Sequence, residues 1–542
     1  MSRQTVNSFK RNLIYIAAAF FLAFGRAGSL KFYEAERVEV SAKWELLFLI
    51  VRTVLYFALF LGIFAGIEKL LDRGLSRKAF SEENETNTGK WWTGYAVLAL
   101  GWLPLLLIKY PAALCWDTWG MISEYMANTY SEHQSVLYTF VMGKLIEIFM
   151  QRGHSNWGIF IFSAVHYLIL VASLGYSLQI LRKMNAARPV RIAVLLSYLF
   201  NPYIAGYVGV VIKDIPYTAF LLIVHLSLID LYMDHEKFAS NPLKLGVLFF
   251  SVVQVWLLRK NGSYIMLAAG VYLLIRCVVK KKSKKPAIVL LAACLVSSVL
   301  FSFLGNHFDA VKGSVREALS VPFQQTARYV RDYGDEVTEE EREAINAVLD
   351  YEEIGRLYNP RISDKVKATY KEDGSKLPIY FKVWFDQFWK HPMCYVNATW
   401  EQLYYLFVPE VENIVLYQNL RTGYEIGMFM YIESNNPIYG ILFVQKEELV
   451  KLQEWLIEVF ERFHRMPVLG LLGNSYFWFY VLIIVTAVYM ANGKDKGLII
   501  AMLYFTMIFV LLGPVIQGHP RYMFPVIYAL PAVTMFCLKD LR

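Results

Sequence analysis

Runs of about 20 apolar residues recur along this chain, and a run of that length is what an α-helix needs to cross a bilayer core about 30 Å thick. They fall near 12–28, 45–67, 93–109, 157–181, 193–211, 216–233, 245–258, 263–279, 287–304, 474–491, 497–515 and 521–538. At 56% hydrophobic and 18% charged over 542 residues, the chain is too apolar for an ordinary soluble protein. The pattern predicts an all-α polytopic membrane protein whose spans number about twelve. Arg3, Lys10 and Arg11 precede the first run as in a signal peptide. No small-residue cleavage pattern follows them, so the run reads as an uncleaved first helix.

Lys and Arg are retained in short cytoplasmic loops, which orients the spans. Basic loops occur at Lys69 to Lys90, Arg182 to Arg191 and Lys280 to Lys285, with smaller ones at Lys494, Lys496 and Lys539. Placing them all inside puts both termini in the cytoplasm. It also requires that 136–150, apolar but carrying Lys144 and Glu147, does not span; its four turns suit an amphipathic helix at the outer interface. The net charge of +9 then reflects cytoplasmic anchoring on anionic lipid. The basic residues form no single patch of the kind that binds nucleic acid.

Four regions result: 1–90, two N-terminal helices and a cytoplasmic loop; 91–304, a transmembrane core with a long first outer loop at 110–156; 305–470, an extracytoplasmic and mainly helical domain; and 471–542, the last spans. Within 305–470, Glu339 to Leu349 reads as an amphipathic helix and Asn359-Pro360 as a turn. Trp384, Phe385, Phe388 and Trp389, near helical spacing, read as core or bilayer-resting rings, with sugar stacking the lesser reading. Of five cysteines only Cys115 and Cys394 fall outside predicted spans, leaving one pairing to consider and no metal-ligand spacing.

The orientation places the unusual polar residues on one face. Asp117, an isolated carboxylate just past a span, is joined there by Glu132-His133-Gln134, Lys213-Asp214, Arg259-Lys260-Asn261-Gly262 and His519-Pro520-Arg521-Tyr522. Basic residues beside the outer ends of spans run against the inside bias, and each alone could snorkel to lipid phosphate. Together they predict an anion site at headgroup depth, which fits a lipid-linked phosphate. Arg suits phosphate because its planar fork donates two parallel charge-assisted hydrogen bonds. If a polyprenyl-phosphate sugar is the donor, the leaving phosphate needs positive charge more than a proton. The attacking hydroxyl must lose its proton, and Asp117 is the candidate general base.

Tyr110-Pro111 with Trp116-Asp117-Thr118, an interfacial helix near 136–150, Lys213-Asp214 and a C-terminal extramembrane domain resemble the GT-C superfamily of membrane glycosyltransferases. That superfamily includes protein O-mannosyltransferases and bacterial aminoarabinose transferases. Arg259 to Gly262, Val321-Pro-Phe-Gln-Gln-Thr-Ala-Arg328 and Arg521-Tyr-Met-Phe-Pro525 look closest to poorly characterised bacterial members, and the likeness runs over about 90–538. The resemblance implies a GT-C-like bundle in a bacterial plasma membrane, moving a sugar from polyprenyl phosphate to an envelope glycan, glycopolymer or lipid. It makes Asp117 the base, and Asp214 and His133 contacts to an acceptor or metal. Lys213, Arg259, Lys260, His519 and Arg521 would hold the donor phosphate. Gln324, Gln325 and Arg328 either reach the site from the soluble domain or serve that domain's own structure. Mg²⁺ or Mn²⁺ is compatible with the carboxylates, but Asp117 is followed by Thr118 where relatives often carry an acidic pair. The rival readings are a secondary transporter or precursor flippase, whose sites favour the bilayer midplane, and a non-catalytic envelope scaffold. Interior polar residues that would serve a transporter are few: His166, His225 and Asn201.

Overall fold

The computed structural model describes residues 3–35, 42–80, 90–408, 446–492, 497–513 and 516–541. Lys494 and Lys496, and 409–445 of the anticipated soluble domain, lie outside the described residues. Among the described residues seven helices are long and apolar enough to cross a membrane: Phe9–Phe32, Trp44–Asp72, Ser155–Lys183, Asp214–Met233, Lys260–Val279, Lys285–His307 and Ser475–Asn492. Three shorter apolar helices, Thr93–Ile108, Pro242–Leu258 and Gly497–Leu512, accompany them.

Burial separates these helices by role. Asp214–Met233 is enclosed along most of its length and packs on Pro242–Leu258, Ser155–Lys183 and Phe524–Asp540, so it is the central post of the bundle. Trp44–Asp72 presents apolar residues outward almost throughout, from Leu46 to Leu59, the surface expected of a lipid-facing helix. The N-terminal helix is tied to the bundle instead of standing beside it. Asn492 Nδ2 donates to Glu68 Oε1 at 2.7 Å and to Tyr15 Oη at 2.8 Å, joining three helices at one end. Near the other end Trp400 Nε1 donates to Ser29 Oγ at 2.9 Å.

The anticipated span at 193–211 is not one helix. Helix Arg188–Phe200 stops at Asn201, whose side chain accepts from the Tyr203 amide at 2.8 Å and caps a four-residue helix, Pro202–Ala205. Pro202 supplies no N–H, so the first helix cannot continue through it. The chain then forms strand Val210–Val211, paired in parallel with Ala113–Leu114. This backbone is tolerated because residues 201–222 are enclosed by protein. The final span starts and ends later than expected: a 3₁₀ turn at Pro520–Tyr522 precedes helix Phe524–Asp540.

Val136–Met150 is a single helix as expected, burying Tyr138, Met142 and Ile146 and leaving Lys144 exposed. A separate helical unit spans Val315 to Leu403 around Phe323, Ala327, Ile345, Leu349 and Tyr380, while Tyr405 and Leu406 join the bundle core. Its helix Glu339–Asn346 opens with a reciprocal capping box between Thr338 and Glu341. The aromatic segment divides: Trp384 packs inward and donates to Gln325 Oε1 at 3.1 Å, whereas Phe385 and Trp389 are exposed. Cys115 and Cys394 are free, one in the bundle core and the other in the helical unit, so they form no disulfide.

Candidate functional site

The two short strands set the site. Leu114 pairs with Val211, and each strand is followed three residues later by an acid, Asp117 on one side and Asp214 on the other. Equal offsets from a paired register bring the two carboxylates together. Thr118 Oγ1 donates to the Val211 carbonyl and locks the same crossing. Lys109 Nζ donates to the carbonyls of Gly206 and Val208, both at 2.6 Å, and pins the turn leading into the second strand.

Asp117 lies in the first turn of helix Trp116–Ala127 and Asp214 in the first turn of Asp214–Met233. Free N–H groups and the helix dipole favour negative charge at both places. Arg259 occupies the position just before Lys260–Val279, and Arg521 precedes Phe524–Asp540. Four helix N-termini therefore meet, and guanidiniums placed there require carboxylates.

They have them. Arg521 Nη1 donates to Asp117 Oδ2 at 2.7 Å and lies 3.7 Å from Asp214 Oδ2. Arg259 Nη2 pairs with Asp214 Oδ1 and its guanidinium lies over the Tyr217 ring. Asp117 is thus paired, not isolated as the sequence suggested. Its side chain is 31% exposed against 2% for Asp214, so Asp117 is the acid that a ligand can reach.

Burial works against ionisation of Asp117, but Arg521, Lys213 and the hydrogen bond from Arg521 prevail and hold its carboxyl well below the usual carboxylate range. Lys213 Nζ donates to the His133 carbonyl at 3.1 Å and to Gln134 Oε1. Burial brings Lys213 down to about 8, with Arg259 and Arg521 adding to the shift and Asp117 and Asp214 opposing it. His519 is buried and held neutral by burial and by Arg521, and its Nδ1 accepts from the Arg521 amide at 3.3 Å. Three cations against two carboxylates leave one positive charge for an incoming anion.

A family model described as "Family of unknown function (DUF6020)" matches residues 3–542. The chain belongs to this family. No curated protein and no solved structure matches it.

In this DUF6020 chain the structure brings together Asp117, Asp214, Lys213, Arg259, Arg521 and His519, and leaves other candidates aside. Lys260 pairs with Glu132 at 2.9 Å on the rim. The His133 side chain is exposed, and its backbone carbonyl makes the contact to Lys213. Gln324 donates to the Asn359 carbonyl at 2.7 Å and Gln325 to Thr399 Oγ1 at 2.8 Å, both within the helical unit. Arg328 is held there by Glu401 and Asp332, so these three side chains serve the unit's own packing. Among the described residues no group of three or more His, Cys, Asp or Glu side chains gathers to hold a metal.

Sequence reasoning missed Lys109 and gave Gln134, named only as part of the Glu132-His133-Gln134 run, no role of its own; both position the site. The signal for Lys109 was its place at the last turn of a span, against the inside bias. It also missed Glu124, seven residues beyond Asp117 on the same helix.

Proposed function

We propose that the chain is a multi-pass membrane glycosyltransferase that moves a sugar from a polyprenyl-phosphate donor to an envelope acceptor. In this reading about twelve helices cross the plasma membrane with both termini in the cytoplasm, and the 305–470 domain lies outside above the site. The observation that carries it is the convergence of Lys213, Arg259 and Arg521 on Asp117 and Asp214 where four helices begin.

The donor phosphate would engage the forks of Arg521 and Arg259 and the helix N-termini. As Arg521 turns to phosphate, Asp117 loses its partner and its base strength rises. The bond from the anomeric carbon to the phosphate oxygen breaks and one from the same carbon to the acceptor oxygen forms. The acceptor proton passes to Asp117, and the lipid phosphate leaves carrying the electron pair. Asp214, enclosed and paired with Arg259, keeps that guanidinium in place. Mg²⁺ or Mn²⁺ would have to draw on the same two carboxylates.

The interior polar residues each make a local contact, but each also keeps one buried nitrogen without a hydrogen-bond partner, so they do not separate a transferase from a transporter or flippase. His225 Nδ1 bonds the Leu221 carbonyl of its own helix at 3.0 Å, His166 packs at a tilt against Phe162 and Tyr138, and Asn201 caps a helix. The test is mass spectrometry of envelope glycans and lipid-linked sugars in a deletion strain. A missing decoration with its donor accumulating is expected, and unchanged glycans and lipid-linked sugars would overturn the reading.

A further inference from the structure

Helix Trp116–Ala127 carries a second acid that the chemistry above does not use. Glu124 lies seven residues after Asp117, so it projects within about 20° of the same face and about 10 Å further along the axis. Gly120 stands between them at i+3. It is exposed, and a Cβ there would meet no atom within 4 Å, so the helix surface at Gly120 is open.

The Glu124 carboxyl is only half satisfied. It accepts from the Ser131 backbone N–H, while Oε2 is buried without a hydrogen-bond partner. A buried acceptor left unmatched is costly and unusual in a folded protein. Burial pushes the carboxyl up to about 7, with the Ser131 N–H and Lys213 working the other way. Lys213 does not fill the vacancy: two of its three donors go to the His133 carbonyl and to Gln134, and none reaches Glu124 Oε2.

We propose that Glu124 receives a second hydroxyl of the acceptor, and hence that the acceptor is polyhydroxylated, a sugar or polyol unit, not an isolated hydroxyl such as a serine side chain. The inference rests on the transferase reading, in which Asp117 takes the reacting hydroxyl. A sugar ring lying over Gly120 offers hydroxyls at opposite edges, one toward each acid. A simple alcohol reaches only one.

The experiment compares transfer by the full chain in lipid nanodiscs to an alkyl glycoside and to an alkyl alcohol of matched chain length, for wild type, Glu124→Gln and Gly120→Val. Glu124→Gln is expected to raise KM for the glycoside about tenfold to a hundredfold, the range for a hydrogen bond to a charged group. KM for the alcohol and affinity for the lipid-phosphate donor should not move. Gly120→Val fills the floor without altering Glu124 and is expected to raise KM for the glycoside as well. Unchanged glycoside KM in both variants, or equal losses for both acceptors, would overturn the proposal. A wild-type protein that transfers from no polyprenyl-phosphate sugar would remove the transferase reading and this inference with it.

Discussion

Arg521 Nη1 donates to Asp117 Oδ2 at 2.7 Å, a bond that closes across 404 residues of sequence and joins the start of the first long loop to the start of the last helix. The same guanidinium nitrogen lies 3.7 Å from Asp214, so one arginine reads both acids. Arg521→Lys should therefore fail to restore what Arg521→Ala loses, because an ammonium lacks the planar fork that addresses two carboxylates and a phosphate. Donor binding titrated with a polyprenyl-phosphate sugar checks it, and wild-type affinity in the lysine variant would place the phosphate elsewhere.

Asp117→Asn keeps the shape and a hydrogen-bond acceptor for Arg521 but cannot take a proton. Transfer should fall by about 10² to 10⁴-fold, the usual contribution of a general base, while membrane insertion and donor binding persist. Single-turnover transfer from preloaded donor separates the two. A near-normal rate would remove Asp117 from the base role.

Asp214 is 2% exposed and its partner Arg259 is 26% exposed. Removing the guanidinium leaves the enclosed carboxylate with only the more distant Arg521 at 3.7 Å, a loss of up to about 3–5 kcal/mol. Arg259→Met should lower the unfolding temperature in detergent, and adding Asp214→Asn should recover much of the loss. A double variant no more stable than Arg259→Met would show that the pair does not act as one.

The sequence made most of the apolar helices legible because an apolar run of span length has few other fates. It failed at 193–211, where hydropathy continues through Asn201-Pro202 although the backbone leaves the helix, and hydropathy carries no record of a two-residue strand. It brought Asp117, Asp214, Lys213, Arg259 and Arg521 to one site by a charge argument about loops. It could not show that Asp117 is paired, since the partner is held by strand register and a 3₁₀ turn. Gln324, Gln325 and Arg328 were ambiguous because polar side chains that knit a helical unit together look, in sequence, like ones that reach a ligand.

The proposed orientation has its own check. Thr129 and Lys282 are exposed at opposite ends of the reading, one in the first long loop and the other in the most basic loop. Cysteine at 129 should react with an impermeant maleimide in intact cells and cysteine at 282 only after lysis. The reverse would invert the bundle and put the site on the cytoplasmic face.

Helix Val136–Met150 carries its partner at very close range, since a Cβ on Gly158 would lie 2.8 Å from Ile146 Cα and 2.9 Å from the Leu145 carbonyl oxygen. Backbone cannot yield as a flexible side chain would. Gly158→Val should cost about 1–3 kcal/mol by overpacking, measured as a lower unfolding temperature. Because Gln134 and Ser135 at the head of this helix hold Lys213 and the Leu257 carbonyl, donor affinity should weaken too.

Glu124 gives a prediction in pH whose sign follows from linkage. Its native pKa, up at about 7, lies above the ordinary 4.5, so the folded state keeps the proton longer than the unfolded chain does. Stability is then full below 4.5 and falls as pH rises toward about 7, where the buried carboxyl is forced to ionise. Burial is the largest cause; the Ser131 N–H and the Lys213 ammonium favour the ionised form and limit the loss. Lys213 itself titrates near 8, so it keeps most of its charge across this window. Glu124→Gln should match wild type in unfolding temperature at pH 4.5 and exceed it at pH 7.5. An equal difference at both values would mean that the carboxyl titrates as an ordinary surface acid, and the unmatched oxygen would then have found water.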